Sequence, residues 1–192
     1  MIAYLRGTSG SGKSYVGFQF VETYPTMPVV QTGWLKNDKL KQVAYRLPGD
    51  LYVVGRYNEG VPTGGVDGWK PHDKIIDLVE TCAGAGHVFV ELRSSFSIPH
   101  LQRWSKAFGL VVCYLDTPLD TCVENVYKRR AKGRGWRDAG SPLNVEAMRQ
   151  QQNQLFNQIP RYEALGIKTK VIDHINAFNG VRALLWDAGW RP

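Results

Sequence analysis

Short apolar runs alternate with amphipathic segments along most of the chain. Five runs are rich in β-branched or aromatic residues and predict buried strands, at residues 1–6, 50–55, 86–92, 109–116 and 168–173. Helical patterns fill the intervals, at residues 12–24, 71–82, 98–108, 118–131, 143–165 and 177–188. Because strands that alternate with helices form parallel sheets covered on both faces, we expect an α/β fold with a five-stranded, mostly parallel sheet.

Two stretches interrupt this alternation. Residues 31–50 and 56–70 are polar, glycine-rich and aromatic, and they are too long for tight turns. Long irregular segments of compact domains are often binding loops, so residues 31–70 are expected to form a substrate-side insertion. No repeat or linker divides the chain, and we expect one domain over residues 1–192.

Charge and composition narrow the class of protein. The 192 residues include 24 Lys and Arg against 17 Asp and Glu, a net charge of +7 that favours a polyanionic partner. No apolar run approaches the roughly 18 residues of a membrane span, and the N-terminus lacks a signal-peptide pattern, which predicts a cytoplasmic protein. Three cysteines without C-x-x-C spacing and four scattered histidines predict reduced thiols and no structural metal.

The strongest motif immediately follows the first predicted strand. It matches G-x-x-x-x-G-K-[S/T] in the residues Gly7, Thr8, Ser9, Gly10, Ser11, Gly12, Lys13 and Ser14. Glycines let backbone N–H groups turn towards phosphate oxygens, Lys13 reaches the β- and γ-phosphates, and the Ser14 hydroxyl binds Mg²⁺. All eight residues are therefore predicted to bind a nucleoside triphosphate, with ATP and Mg²⁺ as the expected cofactors.

A basic segment follows the fourth predicted strand and its helix. Residues 127–137 contain six cations, namely Lys128, Arg129, Arg130, Lys132, Arg134 and Arg137. Such a segment can clamp the γ-phosphoryl group in a transition state, neutralise a nucleic-acid backbone, or be a solvated helix end. The passage LDTPLDTCVENVYKRRAKGRG is similar to the strand–helix–lid passage of the nucleotide and nucleoside kinases. That resemblance implies a P-loop kinase fold with a basic lid at residues 127–140, in which Arg129, Arg130 and Arg134 close over the phosphates.

A P-loop also needs an acid near its metal, at the end of a neighbouring strand. Glu91 and Asp116 both end predicted strands. In the kinase arrangement of this fold the strand of Glu91 lies beside the first strand, which would bring Glu91 to Lys13 and Ser14. Glu91 is therefore the preferred metal-shell acid, and Asp116 remains the alternative.

The acceptor of the kinases of this fold lies between the P-loop and the region after the second predicted strand. This implies acceptor-binding roles for Arg56, Tyr57, Gly64, Gly65, Asp67 and Arg93. Asp67 is the expected general base, with Glu91 as its alternative, and Arg56 is expected to hold a phosphate of the acceptor. Tyr57 or Trp69 can stack on a base. The competing interpretation of residues 64–68 is a simple turn.

Three pieces together, the N-terminal P-loop, VVGRY…GGVD and LDTP…RR, resemble a group of bacteriophage P-loop kinases. Those enzymes phosphorylate the hydroxymethyl group of 5-hydroxymethyl-deoxyuridine within phage DNA, a step towards hypermodified thymidine. The sequence VELRSS departs from the Glu-Arg-Ser of deoxynucleoside kinases, because Leu92 separates Glu91 from Arg93.

The resemblance and the charge favour a kinase that acts on a modified pyrimidine in DNA, in the cytoplasm of a host cell. A basic, aromatic surface would extend the DNA contact through Trp34, Lys36, Lys39, Lys41, Tyr45 and Arg46. The target hydroxymethyl group would be reached in the major groove or after base flipping. Two alternatives stay open, a (deoxy)nucleoside monophosphate kinase and a nucleotide-binding ATPase that transfers no phosphoryl group.

Overall fold

A seven-stranded sheet forms the centre of the computed structural model, which describes residues 1–31, 41–57, 64–66, 69, 72–92, 95–131 and 142–192. The strands are β1 (Ile2–Arg6), β2 (Met27–Gln31), β3 (Lys41–Leu47), β4 (Leu51–Val54), β5 (His87–Glu91), β6 (Leu110–Asp116) and β7 (Lys168–Asp173). The helices are α1 (Lys13–Thr23), α2 (His72–Ala85), α3 (Ile98–Phe108), α4 (Leu119–Ala131), α5 (Val145–Phe156), α6 (Ile159–Ala164) and α7 (Ala177–Asp187).

The order of the strands across the sheet is β2-β3-β4-β5-β1-β6-β7. Strands β4, β5, β1, β6 and β7 are mutually parallel and correspond to the five predicted strands. Strands β2 and β3 pair antiparallel with each other, and β3 pairs antiparallel with β4. The α/β fold with a mostly parallel sheet is thus confirmed.

The expected number of five strands is wrong, because residues 31–50 contribute β3 and the end of β2. Strand β2 is an edge strand whose side chains are mostly exposed, and it contains Pro28, so it has little apolar signal. In β3 three consecutive residues, Val43 to Tyr45, are all buried, so the alternation that marks a half-buried strand is lost.

The predicted helix over residues 143–165 is also wrong, because two helices occupy this range. Asn144 caps the first turn of α5 by accepting a hydrogen bond from the Ala147 N–H at 2.8 Å. Helix α5 ends at Phe156, and Pro160 lies in the first turn of α6, where its missing N–H costs nothing.

Helices cover both faces of the sheet, each over its own apolar core. On one face α1 and α7 bury Val16, Phe20, Val181 and Leu185 against the sheet. On the other face α2 and α3 bury their apolar sides with support from Leu155 and Tyr162. Because the five strands are parallel, their carboxyl ends lie at the same edge of the sheet. The helices cover the faces and not this edge. Proteins with α/β folds bind ligands at this edge.

None of the helices in the described part of the chain combines the length and apolar character that crossing a bilayer requires.

Candidate active site

The phosphate loop, Gly7 to Ser14, connects the end of β1 to the start of α1. Gly10 and Gly12 have φ angles of 82° and 95°, in the left-handed region that favours glycine. A Cβ atom at Gly10 would lie 2.2 Å from the backbone oxygen of Cys122, so this position also lacks space for a side chain. The spacing of glycines in the motif thus follows from backbone conformation and close packing.

The interior of this loop fits a polyanion. Lys13 is buried and donates hydrogen bonds from Nζ to the backbone oxygens of Gly7, at 2.7 Å, and Thr8, at 3.1 Å. The first turn of α1 carries no acidic residue, so neither charge nor helix dipole opposes an anion there. The Ser11 hydroxyl is buried and has no hydrogen-bond partner among the described residues. A lysine, a helix N-terminus and an unsatisfied hydroxyl are suitable groups for nucleotide phosphates.

Two side chains from the β6–α4 segment hold the loop from outside. Thr117 is buried and donates from Oγ1 to the Ser11 backbone oxygen at 2.9 Å. Asn125 of α4 donates from Nδ2 to the Gly10 backbone oxygen, also at 2.9 Å. Sequence reasoning missed both residues, although the polar residue directly after the predicted strand at 109–116 was a signal for Thr117.

Glu91 ends β5 and is only 2% exposed. Its register partner on β1 is Leu5, two residues before the phosphate loop, so β5 does lie beside β1 as the kinase resemblance implied. The hydroxyl of Tyr57 donates to Glu91 Oε1 at 3.3 Å. Asp116, the alternative acid, is exposed at the end of β6. Of the two candidates, the buried and hydrogen-bonded carboxylate is Glu91.

Tyr57 links Glu91 to the helix that follows the phosphate loop. A Cβ atom at Gly17 would lie 2.1 Å from the Tyr57 ring, and one at Gly64 would lie 2.6 Å from it. Phe18 packs edge-on against the same ring, with 5.4 Å between centroids. Because the ring is enclosed, Tyr57 offers no stacking face to a base, contrary to one of the two roles considered for it.

The turn at residues 64–66 closes over Glu91. Gly65 has a φ of 72°, and a Cβ atom there would lie 2.7 Å from Glu91 Cγ. The backbone N–H of Arg56 donates to the Gly65 oxygen at 3.4 Å, which ties this turn to the end of β4. Gly64 and Gly65 are thus glycines because the backbone passes directly over two side chains, Tyr57 and Glu91. Asp67 and Arg93 lie outside the described residues.

Two described cations lie near this edge of the sheet, in the region where the sequence predicted acceptor binding. Arg56 is exposed just beyond β4. Lys41, at the start of β3, places Nζ 3.9 Å from the centroid of the Trp69 ring. The basic surface expected over residues 34–46 is wrong in part, since Tyr45 is buried in the core and the exposed Arg46 pairs with Asp50. Trp34, Lys36 and Lys39 lie outside the described residues.

The predicted lid begins in the last turn of α4. Arg129 and Arg130 are half-buried there, while Lys128 is exposed and forms an ion pair with Glu124 at 2.7 Å. Cations at this end of a helix also interact favourably with its dipole. The lid residues 132–140, including Arg134, lie outside the described residues.

Arg6 was not identified from the sequence, although it ends an otherwise apolar strand directly before the phosphate loop. It is 2% exposed and donates from Nη1 to Gln158 Oε1 and, at 3.3 Å, to the Tyr162 hydroxyl. Ser95 hydrogen-bonds the same Tyr162 hydroxyl at 2.9 Å. Arg6 Nε is buried without a hydrogen-bond partner in the described part of the chain. This network connects β1, α6 and the segment that follows Glu91.

Burial raises the pKa values of Tyr114 and of the three cysteines. Tyr114, the register partner of Arg6, has its pKa raised to about 12 by burial, against the opposing effect of the Arg6 charge. Burial also raises the pKa of the Cys82 and Cys113 thiols to about 12. Burial raises the pKa of Cys122 as well, and the charge of Lys13 opposes that shift. The described thiols are thus protonated at neutral pH. The described residues contain no group of three or more His, Cys, Asp and Glu side chains that could hold a metal ion.

Comparison with known proteins finds similarity both in sequence and in structure. No protein-family model matches the chain. A gluconokinase from Sinorhizobium meliloti 1021 covers 97% of this chain over 94% of its own length, with a TM-score of 0.46 and 16% sequence identity.

The parallel sheet, the phosphate loop and the buried acid beside it define a P-loop kinase, a nucleotide-binding phosphotransferase. Over 188 residues the chain is 32% identical to the 5-hmdU DNA kinase of Pseudomonas phage PaMx11, a match that covers 94% of this chain and 95% of the relative. The chain belongs to the family of that phage kinase. The family resemblance in the sequence is thereby confirmed.

Proposed function

We propose that the protein transfers the γ-phosphoryl group of ATP to the hydroxymethyl group of 5-hydroxymethyluracil in DNA. The observation that carries the proposal is the 32% identity to a phage 5-hmdU DNA kinase over 94% of the chain. The phosphate loop and the buried carboxylate at its side support a phosphoryl transfer of this kind. The reaction would be a step of thymidine hypermodification, carried out on phage DNA in the host cytoplasm.

On the donor side, backbone N–H groups of residues 7–14 and the Lys13 ammonium group bind the phosphates. Ser14 and Glu91 supply oxygen ligands, which are the type that Mg²⁺ prefers. When bound, Mg²⁺ neutralises charge on the β- and γ-phosphates. Tyr57 holds the Glu91 carboxylate through its hydroxyl.

On the acceptor side, Asp67 accepts the proton of the hydroxymethyl group, and Glu91 is the alternative base. The hydroxymethyl oxygen forms a bond to the γ-phosphorus while the bond from phosphorus to the β–γ bridging oxygen breaks. ADP leaves, and the base carries a phosphomonoester. Arg129, Arg130 and Arg134 close over the phosphates and stabilise the charge of the transition state.

The residues that orient the acceptor are Arg56, Tyr57, Gly64, Gly65, Asp67 and Arg93. Gly64 and Gly65 let the backbone pass directly over Tyr57 and Glu91, and Arg56 contributes a positive charge at the rim. A base inside a duplex must be presented in the major groove or flipped into this site, and single-stranded DNA lowers the cost of flipping.

A transfer assay with γ-labelled ATP tests the proposal. Hydroxymethyluracil-containing DNA, ordinary DNA and nucleoside monophosphates are incubated with the protein in parallel. We expect label on the modified DNA and none on ordinary DNA. Label on monophosphates alone would indicate a nucleoside monophosphate kinase, and hydrolysis without transfer to any acceptor would indicate an ATPase. Either result contradicts the proposal.

A further inference from the structure

Lys41 lies at the same edge of the sheet as Glu91, although it is distant in sequence. It begins β3, which runs antiparallel to β4, so the start of β3 meets the carboxyl end of β4. The Gly55 N–H donates to the Val43 backbone oxygen at 2.9 Å and continues this pairing beyond the strand. The pairing brings Arg56 alongside the first residues of β3. Two cations, one at the start of β3 and one just beyond β4, thus lie close together at the rim of the acceptor side.

Trp69 fixes the position of Lys41. The Lys41 ammonium lies 3.9 Å from the centroid of the indole ring, a cation–π contact. The Trp69 N–H donates to the Val66 backbone oxygen at 3.0 Å, and Val66 belongs to the turn that closes over Glu91. A movement of this turn would therefore move both Lys41 and the acceptor side of the site. Because Lys41 covers a face of the indole, Trp69 is better suited to orient the cation than to stack on a base.

Arg56 is the second positive charge at this rim. It is exposed, and none of the ion pairs among the described residues includes it. The pKa of Lys41 is lowered, first by burial and second by the positive charge of Arg56. The two cations therefore repel each other, and an anion bound between them would relieve that repulsion.

We propose that Lys41 and Arg56 bind a phosphodiester group of the acceptor strand next to the reacting base. This inference rests on the proposed function. Trp69 acts as a positioning residue that holds Lys41. A guanidinium can donate two hydrogen bonds to phosphate oxygens, and an ammonium adds a point charge. Contacts of this kind fix the register of a protein on a strand. The pair would thus select a base within DNA over the same base in a free nucleotide.

Charge-neutral variants of the full-length protein test this inference. Lys41→Met keeps the aliphatic stem on Trp69, and Arg56→Gln keeps a polar side chain at an exposed position. The KM for a hydroxymethyluracil oligonucleotide is measured at several KCl concentrations, beside the KM values for ATP and for hydroxymethyl-dUMP. The double variant Lys168→Ala/Lys170→Ala is the matched control, because it removes two exposed positive charges from β7.

We expect each single variant to raise the KM for the oligonucleotide about tenfold and the double variant about a hundredfold. The slope of log KM against log salt should fall by about 0.7 to 0.9 in the double variant, since the contact with one phosphate is lost. The KM for ATP should stay at the wild-type value. Trp69→Ala should resemble Lys41→Met, whereas Trp69→Phe keeps a ring and should resemble the wild type.

Three outcomes would overturn the assignment. If the double variant matches the Lys168→Ala/Lys170→Ala control in KM and salt slope, the two cations do not bind the strand, while transfer to DNA by the wild type keeps the proposed function. If the KM for hydroxymethyl-dUMP rises as much as that for the oligonucleotide, the cations hold the acceptor's own phosphate. If the wild type labels no DNA, the proposed function itself fails.

Discussion

The proposed donor and acceptor sides of the site are built in different ways. The phosphate loop is one continuous stretch, and its shape follows from positive φ angles at Gly10 and Gly12 and from the bonds of Lys13 to the loop backbone. The acceptor side is assembled from the ends of β3, β4 and β5 and from the turn at residues 64–66. A continuous loop such as residues 7–14 can bind the phosphates of any nucleoside triphosphate. A surface formed by the ends of several strands can instead be specific for one acceptor.

The largest expected effect comes from the donor side. Lys13→Ala should lower kcat by about a thousandfold or more, because the charge on the β- and γ-phosphates loses its direct counter-ion. The loss should be the same for every acceptor, which distinguishes it from the acceptor-side variants. The measurement is transfer of labelled phosphate under saturating ATP. Transfer near the wild-type rate would contradict the role of this lysine.

Glu91 lies where the two sides meet, and its removal should have the next largest effect. Glu91→Gln should lower kcat about a hundredfold, since the amide keeps the shape but loses the charge. Tyr57→Phe removes only the hydroxyl that donates to Glu91 and should cost about tenfold or less. Steady-state kinetics of the two single variants and of the double variant measure the energetic coupling between Tyr57 and Glu91. Fully additive effects would mean that Tyr57 does not act through Glu91.

The packing of the phosphate loop can be tested through stability. Gly10→Ala should lower the free energy of unfolding by about 2 to 4 kcal/mol, because it combines a positive φ with a clash against Cys122. Gly84→Ala is the matched control, since a Cβ atom at this helical position meets nothing within 4 Å. That variant should gain up to about 1 kcal/mol. Urea unfolding measures both, and equal effects would contradict the close packing at Gly10.

The smallest expected effect concerns the hydrogen bond from Asn125 of α4 to the phosphate loop. Asn125→Ala removes the donor to the Gly10 oxygen and should raise the KM for ATP about three- to tenfold. The KM for the DNA acceptor should be unchanged, because the variant affects the binding of ATP and not the binding of DNA. Asn153→Ala, an exposed change on α5, is the control. An equal rise in both KM values would show that α4 acts on the whole site.

The sequence predicted the strand–loop–helix segment around residues 7–14, because consecutive residues determine its shape. Gly7 to Ser14 form the loop between β1 and α1 as expected, and the five parallel strands lie where apolar runs predicted them. Strand β2 was missed because an exposed edge strand with a proline lacks an apolar pattern. The three consecutive buried residues of β3 obscured the period of two.

The contacts around the loop could not be predicted, since they depend on which strands become neighbours. Arg6 meets the aromatic side chain of Tyr114 only because β1 and β6 pair in that register. Thr117 and Asn125 reach the loop across more than a hundred residues of sequence. Likewise, the proximity of Lys41 to Trp69 and Arg56 follows from an antiparallel pairing that the predicted five-stranded sheet did not contain.

The most direct test of the DNA acceptor is to locate the transferred phosphate. Hydroxymethyluracil-containing DNA is incubated with ATP and the protein, digested by nucleases to mononucleotides without any phosphatase, and analysed by mass spectrometry. We expect a phosphoryl group on the hydroxymethyl oxygen of the modified base, and none when Lys13→Ala replaces the wild type. Phosphate found only at strand ends, or only on free nucleotides, would contradict the assignment of a base within DNA as the acceptor.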